Sequence, residues 1–279
     1  MNIKLILSIL STLLASSIIF LPKSAILGTK LVLANRAVAQ KSANILSQNA
    51  QGENQGNFQP RDRKEDEKYK GRMIGAGSFQ AGGCPSIDPP PLTAFVTGDG
   101  TTSYRVTTAE QAPTLWFYSP YSKQSVSNLS AEFKLMDNRE GRDLWTKEFV
   151  LEEKGIFPIQ IPQEKLQQFD NNYYWRFKII CKQTQQQVYV NGYIKRVMSP
   201  RSAELIDDME PEDKTILYAQ NGLWLEFLTT YINEICPEDA EKAKDQIKLE
   251  FNSKFIGLGK YSGNYVNNII KYCNPNSMN

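Results

Sequence analysis

The chain reads as a β plus α protein: an antiparallel Ig-like β-sandwich followed by a small C-terminal helical segment. Three observations predict it. Seven short runs rich in β-branched and aromatic residues recur between turn residues from Leu92 to Val197. The clearest run, Tyr173–Cys181, puts Tyr173, Trp175, Phe177, Ile179 and Cys181 on one face and Arg176 and Lys178 on the other, the period-2 pattern of a half-buried strand. Beyond Pro200 the apolar spacing changes from every second residue to every third or fourth, the stripe of an amphipathic helix.

The remaining strands are Leu92–Thr97, Thr114–Ser119, Ala131–Asp137, Leu144–Leu151, Ile156–Ile161 and Val188–Val197. Asp137-Asn138-Arg139-Glu140-Gly141 supplies a hairpin turn, since Asp and Asn bond their own backbone and Gly accepts a left-handed conformation. Its acidic residues lack the spacing of a calcium loop. Pro211 with Glu212 and Asp213 makes a good helix start, Gly222 kinks or splits that helix, and Cys236-Pro237 ends it. A second helix opens at Pro237, Glu238 and Asp239 and runs to about Asn252, and a last one runs from about Asn264 to Cys273.

Ahead of the sandwich, residues 71–91 form a Gly/Pro-rich loop. Its glycines match neither phosphate-binding pattern: position 80 is Gln, and no Gly-Lys-Ser/Thr follows. Residues 40–70 are rich in Gln, Asn, Ser, Lys and Glu and predict a disordered linker. Residues 1–39 predict a signal peptide. Leu5 to Leu21 run without a charge for about 25 Å as a helix, short of a bilayer core, and Ala37-Val38-Ala39 sets cleavage between Ala39 and Gln40. Retained uncleaved, the same segment would be the chain's membrane anchor. The expected location is periplasmic or extracellular.

Charge follows the same division. The chain carries 32 basic and 30 acidic residues. Residues 1–39 hold Lys4, Lys23, Lys30, Arg36 and no acid, which leaves 28 against 30 in the mature part. A near-neutral protein is a poor fit to nucleic acid. The chain contains no histidine, which excludes Ser-His-Asp and Cys-His catalysis and the usual His-containing zinc sites. Catalytic residues, cofactor and metal are all expected to be none. Four cysteines allow three full pairings; Cys84 with Cys181 and Cys236 with Cys273 are favoured, because each pair lies within one half of the fold. Four free thiols are the alternative, and without a C-x-x-C pair a four-cysteine metal site is disfavoured.

The order of short motifs is distinctive. Gly82-Gly83-Cys84-Pro85 precedes Pro91-Leu92-Thr93-Ala94-Phe95-Val96 and Trp116-Phe117-Tyr118-Ser119-Pro120. Then come Ala131-Glu132-Phe133-Lys134-Leu135-Met136-Asp137, Tyr174-Trp175-Arg176-Phe177-Lys178-Ile179-Ile180-Cys181, Val190-Asn191-Gly192-Tyr193-Ile194-Lys195-Arg196-Val197, and Leu217-Tyr218-Ala219 with Gly222-Leu223-Trp224. Over residues 71–235 this resembles the cyanobacterial domain-of-unknown-function 928 (DUF928) family. The resemblance implies a bacterial, extracytoplasmic setting, supports the Cys84–Cys181 pairing and carries no catalytic residue.

The expected function is a non-catalytic binding or assembly module of the cell envelope, its partner an envelope protein or polysaccharide. A glycan-binding protein is the alternative, with Trp145 and Tyr193 as ligand-facing aromatics and Trp116, Trp175 and Trp224 assigned to the core. A carboxylate-based hydrolase would draw on the densest acidic cluster, Asp207, Asp208, Glu210, Glu212 and Asp213, which helix capping explains better. The Trp224 helix is expected to pack on the sandwich or on its neighbouring helices in preference to a membrane surface.

Overall fold

The computed structural model describes residues 58, 63–75, 84, 90–123, 128–182, 186–253 and 256–273. The predicted signal segment and the Ala39/Gln40 cleavage point lie outside the described residues.

The described chain opens with a one-turn helix, α1 (Arg63–Asp66), and four short strands, β1 (Gly71–Arg72), β2 (Thr93–Ala94), β3 (Thr102–Ser103) and β4 (Val106–Thr108). The long strands follow: β5 (Thr114–Ser119), β6 (Leu129–Asp137), β7 (Asp143–Phe149), β8 (Gly155–Gln160), β9 (Asn172–Cys181) and β10 (Gln186–Arg196). Helices complete it: α2 (Ala203–Asp207), α3 (Pro211–Gln220), α4 (Trp224–Thr230), α5 (Ala240–Asn252) and α6 (Ser262–Cys273). A π turn, Tyr231–Ile235, extends α4.

Two sheets form. The larger runs β3-β1-β10-β9-β6-β7, with β4 also on the edge of β10; the smaller runs β2-β5-β8. All pairings are antiparallel except β4 with β10, which is parallel. The alternation along β9 is complete, with Tyr173, Trp175, Phe177, Ile179 and Cys181 all buried. Phe117 of β5 packs against Phe133, Trp175 and Phe177 of the larger sheet, so the two sheets lie face to face.

Strand β5 is buried along almost its whole length. Its other face is covered by helices. Trp116 meets Tyr272 edge-on and donates its indole N–H to Thr229, and Tyr118 meets Tyr265. Trp224 donates its indole N–H to the Phe95 carbonyl at 2.7 Å. The helices are therefore a third layer over the smaller sheet, and one hydrophobic core joins sandwich and helical residues. This is why Leu115-Trp116-Phe117-Tyr118 is an unbroken apolar run: a strand covered on both faces has no polar side.

Gly222 splits the long predicted helix in two. Its φ of +65° is left-handed, and the Leu223 N–H reaches back to the Tyr218 carbonyl, ending α3 one turn before α4 begins. At Asp137, the side chain accepts from the backbone N–H of Arg139 and Glu140, and Gly141 closes the turn at φ +65°.

The fold begins earlier than the predicted linker boundary. Phe58, only 2% exposed, packs on Trp224 and Phe227. Asp66 makes a buried ion pair with Arg105, whose guanidinium lies over Tyr69. One aromatic anchor and one ion pair order a stretch whose mean composition is polar. The predicted 71–91 loop contains β1, and Ile74 bridges Thr93.

Gly192 marks a close approach. A Cβ there would lie 2.6 Å from Cζ2 of Trp175 and 2.9 Å from Oγ of Ser103. Gly192→Ala is expected to cost about 2 kcal/mol by overpacking. A lowered urea midpoint with an unchanged slope would show it, and an unaltered midpoint would contradict it.

Candidate functional site

Two disulfides close within this frame, Cys84–Cys181 and Cys236–Cys273. The first ties the segment before β2 to the end of β9. The second ties the end of α6 to the residue after the π turn. Paired cysteines of this kind belong to an oxidising environment.

At one end of the sandwich the ends of β4, β8 and β10 face α2, α3, α4 and the π turn across a cleft of about 770 Å³. That is the size range of a small-molecule site. Its floor holds an unusual residue. Glu226 on α4 is 5% exposed. Its Oε1 accepts from the Thr108 hydroxyl at 2.6 Å and from the backbone N–H of Ala109 and Glu110 at 2.7 and 3.1 Å. These two amides lie just past the end of β4, where the ladder no longer supplies acceptors. Oε2 has no partner among the described residues. Burial pushes the carboxyl up to about 7; the Thr108 hydroxyl opposes that shift and nearby Glu110 adds to it.

Arg196 holds the opposite side. The alternation of β10, Val188, Val190, Gly192, Ile194, Arg196, directs this last residue inward. Nη1 donates to the carbonyls of Leu166 and Gln167, the guanidinium lies 4.4 Å from the Phe169 ring centre, and Nε is buried without a partner among the described residues. Phe169 is 50% exposed at the mouth. Gln111, Gln160, Gln163 and Asn233 add neutral amides to the lining.

The rim is acidic. Glu110 and Asp207 are both exposed there. Desolvation on the protein side, then the Asp207 charge, push the Glu110 carboxyl up, with Arg196 opposing. Desolvation also raises the Tyr218 phenol, and the charges of Glu110, Glu226, Glu234 and Asp207 raise it further. Among the described residues, only Glu234 of these four has an ion-pair partner, Lys214 at 3.1 Å.

The sequence-predicted residues fall in different places. Trp145 lies opposite Leu135 and packs on Phe133, so its ring leans on the inner face of the sheet and is no free platform. Tyr193 stands on the other face in an aromatic ladder, edge-on to both Tyr69 and Tyr174. Trp116, Trp175 and Trp224 are core. Of the acidic cluster, only Asp207 lines the cleft; Glu212 is bonded to Lys242. No motif in the sequence marks Glu110, Arg196 or Glu226 as a site residue. A lone Glu inside Leu223-Trp224-Leu225-Glu226-Phe227-Leu228 was the available signal for Glu226.

Among the described residues, no helix is long and apolar enough to cross a membrane, and no group of three or more Cys, Asp or Glu could hold a metal ion. No curated protein matches the chain. The family model Domain of Unknown Function DUF928 matches residues 74–255, from the bridge at Ile74 through the cleft to the end of α5, and the chain belongs to that family.

Proposed function

We propose that the protein is an exported, non-catalytic binding module of the bacterial cell envelope, with the cleft beside Glu226 as its ligand seat. The observation that carries this is a cleft lined on opposite sides by Glu226 and Arg196, each of which keeps one buried polar atom, Oε2 and Nε, without a partner among the described residues. An unsatisfied buried polar group costs about 1–3 kcal/mol, so a fold that keeps two of them at one cavity has a reason beyond stability. The disulfides and the signal-like N-terminal sequence support export. The three-layer packing supports a rigid frame for the cleft.

The test is equilibrium dialysis of the full chain against peptidoglycan fragments and envelope polysaccharides. Asn233→Trp, at an exposed position of the lining, fills the cleft without touching the core. At least one component is expected to be retained by the native chain and lost by this variant. Retention unaffected by Asn233→Trp, or no retention at all, would overturn the reading.

The exposed Phe169 ring and the amides beside it favour a polysaccharide over a protein partner, because a planar ring covers a sugar face while amides pair with hydroxyls. Phe169→Ala is expected to weaken retention about tenfold.

A further inference from the structure

The charge in the cleft is unbalanced. Lys214 is spent on Glu234, and Arg196 is held by two backbone carbonyls. Glu110, Asp207 and Glu226 have no ion-pair partner among the described residues. Three carboxylates therefore share one cleft lining with a single partly committed cation. Like charges gathered in this way repel unless protons or a bound cation relieve them.

A metal ion does not answer this arrangement, since these carboxylates do not gather closely enough to coordinate one. An organic cation does. It spans the separation between acids, and its N–H groups suit carboxylate acceptors. The floor adds a second, independent observation: Glu226 is buried with one oxygen unpartnered and lines the same cavity. Across the cleft, the Arg196 guanidinium lines the same cavity. A ligand that matches both sides carries a cationic nitrogen at one end and an oxygen acceptor at the other.

We propose that the cleft takes a small ligand bearing a protonated primary amine, seated between Glu110 and Asp207 above Glu226, with an oxygen of the same ligand turned to Arg196. This rests on the cleft being the ligand seat. Glu110 and Asp207 are the direct partners because both are exposed at the rim, while Glu226 sets the field from the floor. Amino sugars and diamino acids share this chemistry.

The experiment is isothermal titration of the full chain with two matched pairs: glucosamine trisaccharide against its N-acetylated form, and Nα-acetyl-lysine amide against Nα-acetyl-norleucine amide. Binding is expected from the amine-bearing member of at least one pair, about tenfold tighter than from its neutral partner. Whichever pair discriminates identifies the source as sugar or amino acid. The double variant Glu110→Gln/Asp207→Asn, at two exposed positions, is expected to lose that preference, with its circular dichroism unchanged. Equal binding of amine and neutral partners, abolished by Asn233→Trp, would overturn the amine while leaving the cleft as a seat. A preference that survives both rim substitutions would overturn the assignment of Glu110 and Asp207. Absence of binding by every probe would overturn the amine as well, and retention of another envelope component by dialysis would then show that only this inference had failed.

Discussion

Replacing all four cysteines by alanine is expected to leave the chain unfolded at 25 °C without denaturant. The two bonds close loops of 97 and 37 residues that follow one another along the chain, so their constraints on the unfolded state add. In the chain-entropy model they are worth about 4.7 and about 4 kcal/mol. Their sum of about 9 kcal/mol falls within the total stability of an ordinary domain, about 5–15 kcal/mol. Each single pair removed is expected to leave a folded protein with a lower urea midpoint. The bonds also hold what packing alone holds weakly. Cys273 ends the last described helix, and that helix carries Tyr265, whose hydroxyl bonds Thr93, and Tyr272 against Trp116. Losing Cys236–Cys273 is therefore expected to loosen the helical layer first. Far-ultraviolet circular dichroism and tryptophan emission across a urea series, with and without reductant, check this. A reduced protein with the midpoint of the oxidised one would refute it.

The large elements were legible because each obeys one period. Strand β9 alternates over its full length, and the helix from Pro211 opens and stops where Pro and Gly place its ends. Strands of two or three residues leave no period to read, so β1, β3 and β4 were invisible. The early start of the fold was hidden for another reason. Disorder is inferred from average composition, and here the average conceals a single residue, Phe58, that docks into a pocket made by Trp224 and Phe227. The β4 edge matters most to the site, since its end supplies the hydroxyl and the amides that hold Glu226.

The cleft was illegible as a whole. Its walls come from residues between Ala109 and Glu234, and no local pattern announces that the ends of three strands and three helices meet. Part of it was readable. Arg196 falls on the inward series of β10, where a charged residue is out of place, and Glu226 interrupts an apolar helix. Glu250 fits the same description, since Ala243, Ile247, Glu250 and Phe251 share one buried helical face. Buried charges inside otherwise regular patterns were the trace left in the sequence. Exposed aromatics were a poorer guide: Trp145 is engaged by Phe133.

Those buried carboxyls make stability depend on pH in an unusual direction. Glu250 accepts from the Phe58 N–H at 3.0 Å and from the Gln246 side chain at 3.1 Å, and burial pushes it up to about 7 against both hydrogen bonds. Glu226 is pushed up to about 7 chiefly by burial as well. The unfolded value of each is near 4.5. Between these values the folded chain binds more protons than the unfolded one, so the free energy of unfolding falls as pH rises. The contribution is fully present below about pH 4.5 and is lost as pH passes through about 7, at about 3 kcal/mol for each group. Glu110 acts in the same sense. Asp99 and Asp137 act oppositely. Burial would raise both, but backbone hydrogen bonds from Thr101 and Thr102, and from Arg139 and Glu140, outweigh it and lower them, so their contribution is lost only in stronger acid. Stability is therefore expected to peak near about pH 5 and to decline towards about pH 8. Urea midpoints across that range measure it. Glu226→Gln and Glu250→Gln keep an acceptor oxygen for the amides while removing the ionisable group. Each is expected to flatten the slope and to exceed the native chain in stability at the alkaline end. A flat profile for the native chain, or an undiminished slope in both variants, would show that these carboxyls ionise as freely in the fold as in water.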